Sequence, residues 1–235
     1  VVITVDAHKL AYMALPKAGC SSVKEALARL DPSVTLPPED QIDVRTWHGI
    51  YPTRRFRKHR WRALEGYWGF CVVRDPVKRL LSVYTNRVLQ FGDTMNSRKL
   101  RQGRDWLPDL PRQPDPDTFF QNLQGYVMGS SSIKHHVMGA RVFLGPDLGV
   151  YDKVYRTEEL GQLAYDLALL TRQNVHMPRG NRSEAQLTLD DLAPRTIDAL
   201  RPMLDEEYAF LSDYYDNPLG PRRHDACVTP MRRVS

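Results

Sequence analysis

Two short segments combine cations, a glycine and hydroxyls at spacings suited to holding an anion. The first is PKAGCSS, Pro16 to Ser22. It follows a short apolar run and precedes a helical pattern, so it is expected to form a strand-to-helix turn. A helix N-terminus presents unpaired N–H groups and a partial positive charge, and an anion can sit there. Gly19 lets the backbone come close, Lys17 adds a point charge, and Ser21 and Ser22 add hydroxyl donors. A plain turn with a solvated lysine would show the same residues. A GxxxxGK[ST] loop is absent, so the segment is not a P-loop of the Walker type. The second segment is VVRDPVKRLLSVY, Val72 to Tyr84. Arg74 is expected at the end of a strand and Ser82 in the helix that follows. Arg74 can offer a bidentate fork to a phosphate and Ser82 a hydroxyl. Arg79 is either an acid-binding group, an exposed helix cation or a partner of Asp75.

RRFRKHRWR, Arg54 to Arg62, holds six Lys or Arg in nine residues, with Phe56 and Trp61 between them. Three readings stay open: aromatics stacking on nucleic-acid bases, a face for an acidic glycan, or a solvated charged surface. His135 and His136, in SIKHHVMGAR, are adjacent. Such a pair evokes a metal, but no carboxylate or cysteine stands at ligand spacing, so no metal is expected.

These residues sit in an ordinary globular background. The chain has 235 residues, with 42% hydrophobic and 26% charged. That excludes a disordered chain, a collagen-like chain and a disulfide scaffold. The formal charge is +5, from 33 basic and 28 acidic residues, which suggests an anionic partner without choosing it. The three cysteines, Cys20, Cys71 and Cys227, form no CxxC pair. No apolar run is long enough to span a membrane. VVITVD reads as if it starts inside a domain, so a removed leader or anchor is compatible with it. A bacterial-style cytoplasmic enzyme is the expectation, with a trimmed Golgi-lumen domain as the alternative.

The elements that must position the chemistry alternate between two periods. LAYMAL (10–15) and WGFCVV (68–73) read as buried strands. VKEALARL reads as a helix capped by Ser21 or Ser22 and ended by Pro32. A second helix is expected from about Val77 to Gln90. The proline-rich stretch 103–117 reads as a surface excursion, with Asp117 or Thr118 capping a helix through Met128. VYDKVYR (150–156) reads as a strand, Glu158–Thr171 as a helix, and Leu192–Tyr215 as a helix interrupted at Pro202. Residues 217–235 read as a loosely held tail. Strand, turn and helix in alternation imply an α/β fold with a central parallel sheet, in one domain over 1–235.

Taken together, PKAGCSS and RDPVKRLLSVY make the chain resemble sulfotransferases that use 3′-phosphoadenosine-5′-phosphosulfate (PAPS). The corresponding family motifs are PKxGxTS and RDPxxRxxSxY. RLLSVYTNRVLQFGD resembles the matching helix of the carbohydrate uronyl 2-O-sulfotransferases, YDKVYRTEEL the later strand and helix, and DEEYAFLSDYY the terminal helix. The resemblance implies a three-layer αβα, nucleotide-kinase-like, P-loop-related fold and a PAPS donor without a metal. It implies that Lys17 steadies the leaving phosphate. Ala18, Gly19, Cys20, Ser21 and Ser22 would wrap the 5′-phosphate, and Arg74 and Ser82 would hold the 3′-phosphate. Cys20 departs from the usual Ser or Thr. His48, in RTWHGIY, is the implied general base, with Glu65 as runner-up. His135, His136, Arg54 and Arg55 are implied acceptor contacts. Arg179 and Arg182, in NVHMPRGNRSE, belong to a late loop over nucleotide or acceptor. The implied acceptor is a hydroxyl on a carbohydrate or glycolipid, acidic if the basic run faces it; no nucleic acid is expected. A nucleotide or nucleoside kinase and a non-catalytic nucleotide-binding module are the rivals.

Overall fold

The computed structural model describes residues 2–103, 109–178 and 187–220. Four strands form one sheet in the order β1 (Ile3–Val5), β2 (Leu10–Met13), β3 (Trp68–Val73) and β4 (Lys153–Arg156). β2, β3 and β4 are parallel, with Leu10 opposite Trp68 and Phe70 opposite Lys153. β1 is antiparallel to β2, with Ile3 opposite Tyr12. The sheet is therefore mixed, where a parallel one was expected. The reason is chain length: only a short turn, closed by Lys9 at φ 51°, separates Val5 from Leu10. A parallel connection needs a crossover of a dozen residues or more, whereas a tight turn can only fold the chain back.

The helices fill the gaps between strands. Between β2 and β3 run α1 (Cys20–Leu30), α2 (Val44–Ile50) and α3 (Lys58–Arg62). After β3 comes α4 (Pro76–Val83), continued by a wider π-type segment, Tyr84–Gln90. The short helices α5 (Asp93–Asn96), α6 (Arg98–Gln102), α7 (Pro116–Gln121), α8 (Leu123–Gly129), α9 (Ser131–Val137) and α10 (Ala140–Leu144) lead to β4. α11 (Leu160–Thr171) and α12 (Pro194–Phe210) follow. The expected cap at Asp117 or Thr118 lies at Asp115, whose carboxylate accepts from the Thr118 amide. Pro202 lies inside α12 without ending it.

Strand periodicity decides what the sheet faces. Leu10, Tyr12, Phe70, Val72 and Tyr155 point to a cluster completed by Val23 and Leu27 of α1 and Leu163 and Leu167 of α11. The alternate residues Ala11, Met13, Cys71 and Val73 meet Phe143, Leu144 and Leu211 on the other face. Successive side chains of a strand point to opposite faces, so both faces are apolar and covered. A third cluster, around Leu80, Phe119, Phe120, Tyr126 and Leu204, joins α4 to α7, α8 and α12. Gly69 shows how closely one cover lies: a Cβ there would stand 2.6 Å from the Trp61 ring.

Candidate active site

The first turn is made by two residues with left-handed backbone, Lys17 at φ 66° and Gly19 at φ 70°. Gly19, not Ser21 or Ser22, is the N-cap of α1, and no side chain caps that end. A Cβ at Gly19 would press on Leu160 at 3.2 Å, so this position is closed to larger residues. Ala18 and Cys20 are buried, while Lys17, Ser21 and Ser22 are half-buried. A non-glycine residue at positive φ costs on the order of 1 kcal/mol and tends to mark a functional constraint. Burial, reinforced by the Arg74 charge, lowers the Lys17 ammonium to about 8.

The second turn meets the first. Arg74, half-buried at the end of β3, donates from Nη1 to the Lys17 carbonyl at 3.0 Å. Burial lowers its pKa. Asp75 caps α4 by accepting from the Lys78 amide, and also accepts from the Tyr208 hydroxyl at 2.8 Å. Ser82 lies further along α4, about 9 Å of helical rise from Pro76. Its hydroxyl donates to the Arg79 carbonyl at 2.7 Å, so the structure engages it within its own helix. Arg79 is neither exposed nor paired with Asp75. It is buried and donates to Glu207 at 2.8 Å and to the carbonyls of His136 and Met138. Glu207 also accepts from the Ala140 amide, so Arg79 ties α4 to α12 and to the α9–α10 junction.

The histidines gather beside Cys20. His48 lies in the last turn of α2, not in a loop. Asp43 sets the start of that helix through a reciprocal cap with Thr46. His48 Nε2 is 3.0 Å from Ser21 Oγ, and Nδ1 is 3.0 Å from Lys24 Nζ. A cleft of about 220 Å³ is lined by Pro16, Cys20, His48, Pro52, Thr53, His135 and His136. Burial, followed by the Lys24 charge, pushes His48 down to about 4. His136 donates from Nδ1 to the Ser132 carbonyl at 2.8 Å, because a carbonyl can only accept, and burial pushes it down to about 3. His135 packs edge-on against His136 and Phe143, and burial lowers it as well. Burial thus disfavours the protonated form of all three imidazoles, which leaves them able to accept a proton but weakens them as bases. Among the described residues, no three His, Cys, Asp or Glu side chains gather to hold a metal.

Other expected residues lie apart. Glu65 is exposed in the turn before β3, at the opposite end of that strand from Arg74. Six strand residues separate the two ends by about 20 Å, so Glu65 is not beside the cleft. Arg54 and Arg55 are exposed. Phe56 and Trp61 face inward: the Trp61 indole donates to the Val150 carbonyl and stacks edge-on on Tyr151. Phe56 lies where a Cβ on Gly145 would fall. Those rings are therefore taken by the core and are not free to stack on bases. Arg179 and Arg182 lie outside the described residues.

Lys24 is the site residue that the sequence reading passes over. It is fully buried and donates to Thr53 Oγ1 at 2.7 Å as well as meeting His48. A signal was present: Cys20, Val23, Lys24, Leu27 and Ala28 share one helix face by their spacing.

An α/β sheet with cations at the ends of two parallel strands, and neutral imidazoles beside them, suits a transferase acting on an anionic donor. The sulfotransferase family matches residues 2–212, nearly the whole chain, and the chain belongs to that family. No curated protein and no solved structure matches it. No helix among the described residues is long and apolar enough to cross a membrane.

Proposed function

We propose that this chain transfers a sulfuryl group from PAPS to a hydroxyl of a carbohydrate or glycolipid, within one sulfotransferase domain of three-layer, P-loop-related architecture. The supporting observation is the hydrogen bond from Arg74 to the Lys17 carbonyl, which joins the two anion-binding turns at one sheet edge. Open α/β sheets bind ligands at the carboxyl ends of their strands. In this reading the uncapped N–H groups of α1, with Ala18 to Ser22, hold the 5′-phosphosulfate. Arg74 takes the 3′-phosphate, with Ser82 joining only by releasing the Arg79 carbonyl. Lys17 neutralises charge on the leaving phosphate. His48 removes the acceptor proton, since a neutral imidazole in the cleft can do so. His135 and His136 line the acceptor side, and the exposed Arg54 and Arg55 follow Thr53 of its lining along the chain.

Little covalent work falls to the protein in such a transfer. Position and charge stabilisation do most of it. The test is an acceptor screen with labelled PAPS, comparing wild type with His48→Ala. Turnover is expected to fall by about 10²–10⁴ while donor binding persists. Unchanged turnover would remove His48 from the role. Stabilisation by 3′-phosphoadenosine-5′-phosphate but not by AMP is the matching binding result. Magnesium-dependent transfer from ATP would instead favour a phosphotransferase.

A further inference from the structure

Lys24 is buried without a carboxylate: its amine meets His48 Nδ1 at 3.0 Å and Thr53 Oγ1 at 2.7 Å, and no salt bridge reaches it among the described residues. The chemistry of that contact is restrictive. An ammonium has only donors, so a charged Lys24 makes Nδ1 an acceptor and leaves the ring proton on Nε2. Nε2–H then donates to Ser21 Oγ, and the ring offers no lone pair to a substrate. A neutral Lys24 amine, with a lone pair beside its N–H donors, permits the reverse. It accepts from Nδ1–H, and Nε2 carries the lone pair.

We propose that Lys24 is a positioning residue whose neutral amine accepts from the Nδ1–H tautomer of His48 and receives that proton when His48 acts as base. The inference rests on the functional reading above. The step balances: the acceptor O–H proton passes to Nε2 as its oxygen attacks sulfur and the S–O bond to the nucleotide breaks. The Nδ1 proton passes to the Lys24 lone pair, and Lys24 ends as an ammonium held by Thr53. The bond electrons leave on the 5′-phosphate.

The surroundings weaken the Lys24 ammonium. Burial lowers the pKa of Lys24. The titratable and charged groups bearing on the pair are Cys20 from α1, Lys17 from the first turn, His135 from α9 and Arg87 from the π-type segment. The cations Lys17 and Arg87 disfavour a proton on His48, whereas Cys20 favours one on Lys24.

Two variants separate this from packing. Lys24→Arg keeps a fixed charge that cannot deprotonate, and it should lower sulfuryl transfer from PAPS about 10²-fold or more. Lys24→Met removes the constraint on the ring, so transfer should fall about 10-fold or less. A purely structural lysine gives the opposite order, with Arg the milder change. In the wild type, turnover should rise with pH as Lys24 loses its proton, and this limb should vanish in Lys24→Met.

The direct readout needs no Lys24 variant. Two-bond proton–nitrogen spectra of the wild-type imidazoles, with His48 assigned by its loss in His48→Gln, report the tautomer from about pH 6 to about pH 10. A change from Nε2–H to Nδ1–H on raising pH supports the relay. Nε2–H throughout overturns it. Absence of sulfuryl transfer in the wild type would overturn the functional reading and the relay together. Normal transfer with a fixed Nε2–H tautomer would overturn the relay alone.

Discussion

Arg74 and Arg79 lie close in sequence on the same strand-to-helix segment, yet their charges meet opposite fates. Arg79 is buried in the helical layer and faces Glu207 directly. Arg74 is held by a backbone carbonyl, with Glu158 and Asp75 acting on it only at a distance. The contrast extends outward. In the helical layer Arg87 is also paired, with Asp93 at 2.6 Å. At the sheet edge, no salt bridge reaches Lys17 or Arg74 among the described residues. One region has its charge balanced by the fold. The other concentrates positive charge with little local balance, and an incoming anion can complete it. Pairing partners, not the number of cations, separate balanced from unbalanced charge here.

Four substitutions or conditions can break that comparison. The largest effect is expected from Glu207→Ala, which strands the Arg79 guanidinium in the interior. Such a loss costs about 3–5 kcal/mol, and the thermal midpoint should fall by roughly 10 °C. A midpoint within a degree or two of wild type would mean that Arg79 is not balanced as described.

Next comes Lys17→Gly. Sulfuryl transfer should drop about 10²–10³-fold, the scale for losing one stabilising donor of a transition state. Stability should rise by up to about 1 kcal/mol, since glycine accepts the positive φ without strain. A loss of both together would place Lys17 with Arg79 on the structural side.

Arg74→Ala should weaken binding of 3′-phosphoadenosine-5′-phosphate by about 10–100-fold, the range for a charge-assisted bond. Its melting temperature should stay near that of wild type. Calorimetric titration gives the first number and thermal unfolding the second.

The smallest effect concerns acid. His48 and His136 stay neutral in the folded protein down to about 4 and about 3, whereas in the unfolded chain they titrate near their ordinary value of 6.5. Between those values the unfolded chain binds more protons, so stability falls as the pH drops below about 6.5. His136→Gln should remove on the order of 1 kcal/mol of that acid loss, seen by comparing melts at neutral and mildly acidic pH. An unchanged acid slope would show that His136 titrates alike in the folded and unfolded chain.

Much of this was legible in the sequence, and the exceptions share a cause. Trp68–Val73 is a strand as read, and Leu10–Met13 and Lys153–Arg156 fall inside the expected strands, because short apolar runs between turn residues are local signals. α11 likewise follows its own pattern. β1 was missed because three residues acquire strand character only by pairing with β2. α2 carries little periodicity, and its buried contact is Trp47 alone. The fate of Arg79 depended on Glu207, which is distant along the chain. The burial of Lys24 depended on His48 and Thr53. The two turns were visible as motifs, but their contact through Arg74 and Lys17 required the parallel pairing of β2 with β3. Spacing revealed the residues, and tertiary pairing decided which charges remained unbalanced.

The Trp61 ring over Gly69 has a consequence for how this chain can change. The anchoring of the Arg54–Arg62 segment is entrusted to Phe56 and Trp61, and its charges stand outside that attachment. Lineages could exchange the exposed arginines for other residues with little disturbance to the sheet, provided Trp61 and Gly69 stayed together. The segment is then an evolvable surface on a fixed mount, free to change while the sheet edge keeps its form.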